Sequence, residues 1–150
     1  MTAAVWGQVL WQTLLAGAGT LCFGVLFGTQ KRRLAACAAD GSVAWLVYAL
    51  VLLVHPSVVV ATLMAAIVLA LLARVFAIEQ KAPATVFLLC GIFPLVPGAG
   101  IYYTAYYFMQ GQNELSAAKG VETLKIALAL ALGIAIALGI PLPRRRAPRG

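Results

Sequence analysis

The sequence predicts an all-α, polytopic integral membrane protein with five transmembrane helices, N-terminus outside and C-terminus inside. Three observations predict it. Of 150 residues, 63% are hydrophobic and only 10% charged, with mean hydropathy +0.99; soluble domains carry about 25% charged residues. Five apolar segments approach the length of about 20 residues that a membrane span needs. Nine of the eleven Lys and Arg fall in three clusters between or after these segments, and five spans put all three on one side. That bias is the positive-inside pattern. It accounts for the net charge of +7 without nucleic acid, since no basic surface interleaved with aromatic residues is present.

The first span runs from about Val5 to Gly28 and is closed by Lys31-Arg32-Arg33. It lacks a basic leader and is too long for a signal peptide, so it reads as a retained helix. The second runs from about Leu34 to Val54 and ends at the tight turn His55-Pro56. The third covers about Ser57 to Ile78, with Ser57 as N-cap. Glu79-Gln80-Lys81 follows it. The fourth, Ala84 to Met109, is interrupted by Pro94-Leu-Val-Pro97-Gly98. The segment Gly111 to Gly120 reads as a connector, with an interfacial turn near Ser116. The fifth span, about Val121 to Ile140, stops at Pro141 and Pro143. Residues 1–143 thus form one transmembrane domain, and residues 144–150 a basic cytoplasmic tail.

The interruption in the fourth span is the strongest functional signal. Proline removes a backbone donor and clashes with the preceding turn. Backbone groups freed in hydrocarbon need partners in protein or in a water-lined cavity. Broken helices of this kind hold the cargo of many secondary transporters. Counted from Ala84, Pro94 to Gly98 lies about 15–21 Å into a core about 30 Å thick.

Small residues recur at four-residue spacing in the first span (Ala16, Thr20, Gly24, Gly28) and the last (Ala129, Gly133, Ala137). Such ladders permit close helix approach, within this chain or against a second copy. The cluster Tyr102, Tyr103, Tyr106, Tyr107 and Phe108 reads as an outer aromatic belt; the alternative for Tyr102, about 6 Å past Gly98, is a hydroxyl that faces a polar cavity. Cys22, Cys37 and Cys90 read as small buried hydrophobes.

Asp40 is the leading polar candidate. A helix starting near Leu34 puts it about 9 Å into the core, where an ionised Asp costs about 2.5–3.5 kcal/mol on insertion scales. It then faces the bundle interior as a proton-coupling or amine site; a helix starting near Ser42 would instead leave it exposed. Arg74 either snorkels or pairs with Asp40. Glu122 and Lys125 are spaced for a local pair.

The single His, and the lack of a nucleophile elbow, P-loop or metal-ligand spacing, argue against an enzyme and against any cofactor or metal.

Pro94-Leu-Val-Pro97-Gly98-Ala-Gly-Ile-Tyr102 resembles the P-x-x-P-G-x-x-x-Y signature of the threonine/serine exporter (ThrE) family, in its C-terminal-half type. The likeness extends from about Phe27 to Pro143, through Lys31-Arg32-Arg33 and Cys37-Ala-Ala-Asp40-Gly41-Ser42. It implies an all-helical fold with about five spans per half and proton-driven export of threonine and serine in fused members. Split relatives pair a small subunit like this one with a larger membrane protein, and one such pair is associated with succinate export. Pro94, Pro97, Gly98 and Tyr102 carry over by position, while Tyr103 stands where relatives place a basic residue. An odd number of spans fits half of an inverted-repeat machine.

The expectation is the small plasma-membrane subunit of a proton-coupled exporter of small hydrophilic metabolites such as threonine or serine. Pro94, Pro97, Gly98, Tyr102 and Thr104 would line the path, Asp40 would carry the proton, and a larger subunit or a homo-oligomer would complete the site in the lipid bilayer. The alternatives are a C4-dicarboxylate export subunit and a scaffold or assembly protein that transports nothing.

Overall fold

The computed structural model describes residues 3–141. The expected tail, Arg144-Arg145-Arg146 and Arg149, lies outside them, as does Pro143. The regular structure of the described residues is all helical: α1 (Ala3–Leu26), α2 (Lys31–Val54), α3 (Val58–Glu79), α4 (Ala84–Gly91), a 3₁₀ turn (Phe93–Leu95), α5 (Gly98–Met109) and α6 (Asn113–Gly139). Among the described residues four helices are long and apolar enough to cross a membrane, or five if α4 and α5, bent by 50° at their break, count as one span.

Local chemistry sets the helix ends. After α1, Gly28 takes φ +67°, and Gly28 and Thr29 donate back to Val25 and Gly24, a left-handed C-terminal cap that glycine favours. Gly111, at φ +72°, ends α5 the same way through bonds to Phe108 and Tyr107. Ser57 caps α3 by accepting from the Val60 N–H.

The expectations for the connector, for a turn at Ser116 and for Cys22 are corrected. The stretch Gly111 to Gly120 is not a connector: Gly111 reverses the chain so tightly that α6 starts at Asn113. Ser116 therefore sits inside a helix, with its hydroxyl on the Thr104 carbonyl at 2.8 Å. Of the two readings of Asp40 the buried one holds: α2 begins at Lys31, so Asp40 lies in its interior and is fully buried. Cys37 and Cys90 are buried, but Cys22 is exposed on the outer face of α1.

The helices pack in the order α1, α2, α3, α6, α5, and α4 lies over the α2–α3 groove. The first half of the broken span thus rests on α2 and α3, whereas the second half leans on α6. The bend carries the chain from one groove to the other.

The core is built mainly of alanine: Ala44, Ala65 and Ala66 meet Leu69, Leu95 and Leu130, and Ala36 and Ala73 meet Cys37, Cys90 and Phe87. Lipid tails are as apolar as these side chains, so close backbone packing supplies the attraction. Both small-residue ladders serve it within the chain. A Cβ on Gly133 would stand 2.7 Å from the Leu63 carbonyl oxygen, and one on Gly41 would stand 2.8 Å from Thr20 Cβ. Along α1 the packed positions are Gly17, Thr20 and Gly24. Ala16 borders a cavity and Gly28 belongs to the turn.

Arg74 does not pair with Asp40. Its guanidinium donates to the carbonyl of Ala137 in the last turn of α6, where unsatisfied carbonyls and the negative dipole end favour a cation. Glu122 pairs with Lys119 rather than Lys125, at 2.8 Å.

Candidate functional site: the break in the fourth span

Pro94 and Pro97 have no N–H, so the carbonyls of Cys90 and Phe93 lose their helical donors. The chain adapts with short bonds: Leu95 N–H to Ile92 O at 2.9 Å, Val96 N–H to Phe93 O at 3.3 Å and Gly98 N–H to Val96 O at 2.7 Å. Helix α5 then restarts, and Ile101 N–H reaches Pro97 O at 3.1 Å. Ala99 and Gly100 sit in its first turn, where N–H groups have no intrahelical acceptor.

A cavity of about 360 Å³ opens on this unwound backbone. Pro94 to Gly100 form one wall; Trp45, Tyr48 and Thr62 from α2 and α3 form the second; Tyr103, Lys119, Glu122 and Thr123 complete it. Helix α6 comes close because Gly100 has no side chain: a Cβ there would stand 3.3 Å from Thr123 Cβ. The Lys119–Glu122 pair is therefore level with the first turn of α5. The Thr62 and Thr123 hydroxyls are spent on Val58 O and Lys119 O. The Trp45 indole N–H is buried without a partner. This cavity combines backbone polar groups with both signs of charge, and its size suits a small polar solute.

Two further cavities flank the break. One of about 410 Å³ lies toward α1, between Gln12, Ala16, Gly19 and the 3₁₀ turn. The Phe23 and Phe93 rings stack beside it with centroids 3.7 Å apart. Trp45 and Pro94 border both this cavity and the polar one. The largest, about 790 Å³ between α5 and α6, is lined almost wholly by apolar groups such as Ile101, Phe108 and Leu124. Such a lining suits an acyl chain better than a polar metabolite.

The residues singled out from the sequence divide among these places. Pro94, Pro97 and Gly98 line the polar cavity. Tyr102 is 62% exposed and is absent from its walls. Thr104 borders the apolar groove, its hydroxyl donating to Gly100 O at 2.7 Å. Asp40 lies apart, at zero exposure, and neither carboxyl oxygen has a hydrogen-bond partner. A Cβ on Gly91 would stand 3.1 Å from its Oδ2, so the missing side chain at Gly91 makes room for the carboxyl.

Sequence reasoning missed Trp45, Tyr48, Tyr103, Lys119 and Glu122 as neighbours of the break. The three-residue spacing of Lys119 and Glu122 was a usable signal, hidden while residues 111–120 read as a loop.

The profile of the family described as Threonine/Serine exporter, ThrE, matches residues 12–140. The chain belongs to the threonine/serine exporter family. No curated protein and no solved structure matches it. The family match and the apolar helices make it a multi-pass transporter of the plasma membrane, of threonine/serine exporter type. All five spans, the break included, fall largely within the matched residues.

Proposed function

We propose that this chain is the small subunit of a two-part, proton-coupled exporter of small hydrophilic metabolites, with threonine and serine as first substrates. The observation that carries the reading is the polar cavity on the unwound backbone of the fourth span. Pro94 and Pro97 deprive the carbonyls of this stretch of helical donors, and the N–H groups of Ala99 and Gly100 open α5 without intrahelical acceptors; a transported solute would replace its water with these groups. A helix that crosses lipid without such a task has no reason to open there.

Asp40 is the proton carrier in this reading. It is the one acidic residue enclosed by the packed helices among those described, and both its oxygens lack partners. A carboxyl that alternates between neutral and charged forms can move one proton per cycle. It sits about 7.5 Å along α2 from Trp45, at the cavity wall. Tyr102 and Thr104, outside the cavity in this conformation, would enter the path if α5 swings on its bend.

A larger subunit with matching spans of opposite orientation would close the open side of α5, which in this chain leans only on α6. With five spans, N-terminus outside, the basic segments Lys31-Arg32-Arg33 and Arg74 to Lys81 face the cytoplasm. A C4-dicarboxylate is the second candidate. Lys119 matches one of its carboxylates, but Glu122 stands beside the same cavity.

The test is efflux from proteoliposomes loaded with labelled threonine, serine or succinate, containing this chain alone, the larger subunit alone, or both. Threonine efflux that needs both chains and responds to a pH gradient is expected. No efflux of any of the three from any combination would sink the reading.

A further inference from the structure

We infer that Lys119 and Glu122 are the specificity-determining residues of the cavity at the break, gripping the two charged ends of a zwitterionic α-amino acid. The inference rests on the exporter reading and adds to it the groups that choose the substrate. The two side chains form a 2.8 Å ion pair along one face of α6 and border the same cavity as the unwound Pro94–Gly100 backbone. They are about half exposed, at 46% and 52%, so water and solutes reach both.

An exposed pair one helical turn apart contributes little to folding, so its partners exchange readily. A zwitterion presents the same two charges at similar separation. Its carboxylate takes over the Lys119 ammonium, and its own ammonium takes over the Glu122 carboxylate. Each charge of the pair is thereby compensated throughout the exchange.

The surroundings complete the fit. The free N–H groups of the first α5 turn add donors for the carboxylate end, with the favourable sign of the helix dipole. Carbonyls of the unwound stretch add acceptors for the ammonium end. A dicarboxylate would set its second negative charge against Glu122, and an amine without a carboxylate would leave Lys119 unmatched. Discrimination then comes from a charge left without its partner.

The test measures binding of threonine, N-acetylthreonine and threonine amide to the full chain in nanodiscs, alone and with the larger subunit. Wild type is expected to prefer threonine over both derivatives. Glu122→Gln should weaken threonine by at least about tenfold while leaving N-acetylthreonine unchanged, and Lys119→Gln should do the same with threonine amide unchanged. The double variant Lys119→Glu/Glu122→Lys keeps an ion pair but reverses its polarity, so a recognition role predicts that threonine binding stays weak. Threonine affinity within about twofold of wild type in both single variants, or its full recovery in the double variant, overturns the inference while leaving the exporter reading intact. Failure of wild type to bind threonine in either setting overturns the exporter reading, and this inference with it.

Discussion

Gly133 illustrates how much this protein asks of single positions. It lies in α6 at zero distance to spare from α3, where a Cβ would press on the Leu63 carbonyl oxygen and the Ala66 side chain. Gly133→Val should therefore part α6 from α3 and cost about 1–3 kcal/mol, read as a lower midpoint of thermal unfolding in detergent. The four-residue ladder in α6 was legible in the sequence because period and residue size together specify a packed face. Asp40 was legible only in part. Its type and depth stood out, but its burial depended on where α2 starts, and the cations at Lys31 to Arg33 gave no sign that they form the first turn of that helix. If Asp40 carries the proton, Asp40→Asn keeps the shape and loses the titration. Threonine counterflow should persist near the wild-type rate in proteoliposomes, while accumulation driven by a pH gradient should vanish.

At the scale of the element, the break is a sequence property with a structural consequence that no motif announced. Pro94, Pro97 and Gly98 dictate that the helix opens; that the two halves then rest on different neighbours follows from three-dimensional packing alone. Pro94→Ala returns an N–H for the Cys90 carbonyl, and helix propensity favours Ala over Pro by about 3 kcal/mol. The variant is expected to be at least as heat-stable as wild type, with efflux strongly reduced, because the Cys90 carbonyl regains a helical donor and the cavity wall loses part of its unwound backbone. Loss of stability together with unchanged efflux would show the break to be a packing device. Arg74 makes the opposite contrast. It caps α6 from α3, far along the chain from the break, so Arg74→Ala should cost about 1.5–3 kcal/mol for a charge-assisted bond, seen as a lower unfolding midpoint with substrate binding retained. Its partner was invisible in the sequence, since a backbone carbonyl carries no residue signature.

Among the described residues of the whole molecule there are four spans by length and composition, and five when the bent α4–α5 pair counts as one; an odd number ties orientation to charge. If Lys31-Arg32-Arg33 and the Arg74 to Lys81 region are cytoplasmic, the His55 turn and the Gly111 turn must face outward, together with the Lys119–Glu122 pair near the start of α6. From Lys119 to the end of α6 at Gly139 is about 30 Å, one full hydrocarbon thickness, so the pair would lie at the outer boundary of the core and the cavity would open outward in this conformation. Single cysteines at exposed sites check this in a Cys22→Ser background, since Cys37 and Cys90 are buried. His55→Cys and Gln112→Cys should react with a membrane-impermeant maleimide on intact cells; Gln30→Cys and Glu79→Cys should react only after permeabilisation. The reverse pattern would turn the cavity toward the cytoplasm. The half-site at the break would then stand open to substrate waiting for export rather than to substrate leaving, and the bend between α4 and α5 would mark the loading state of the cycle.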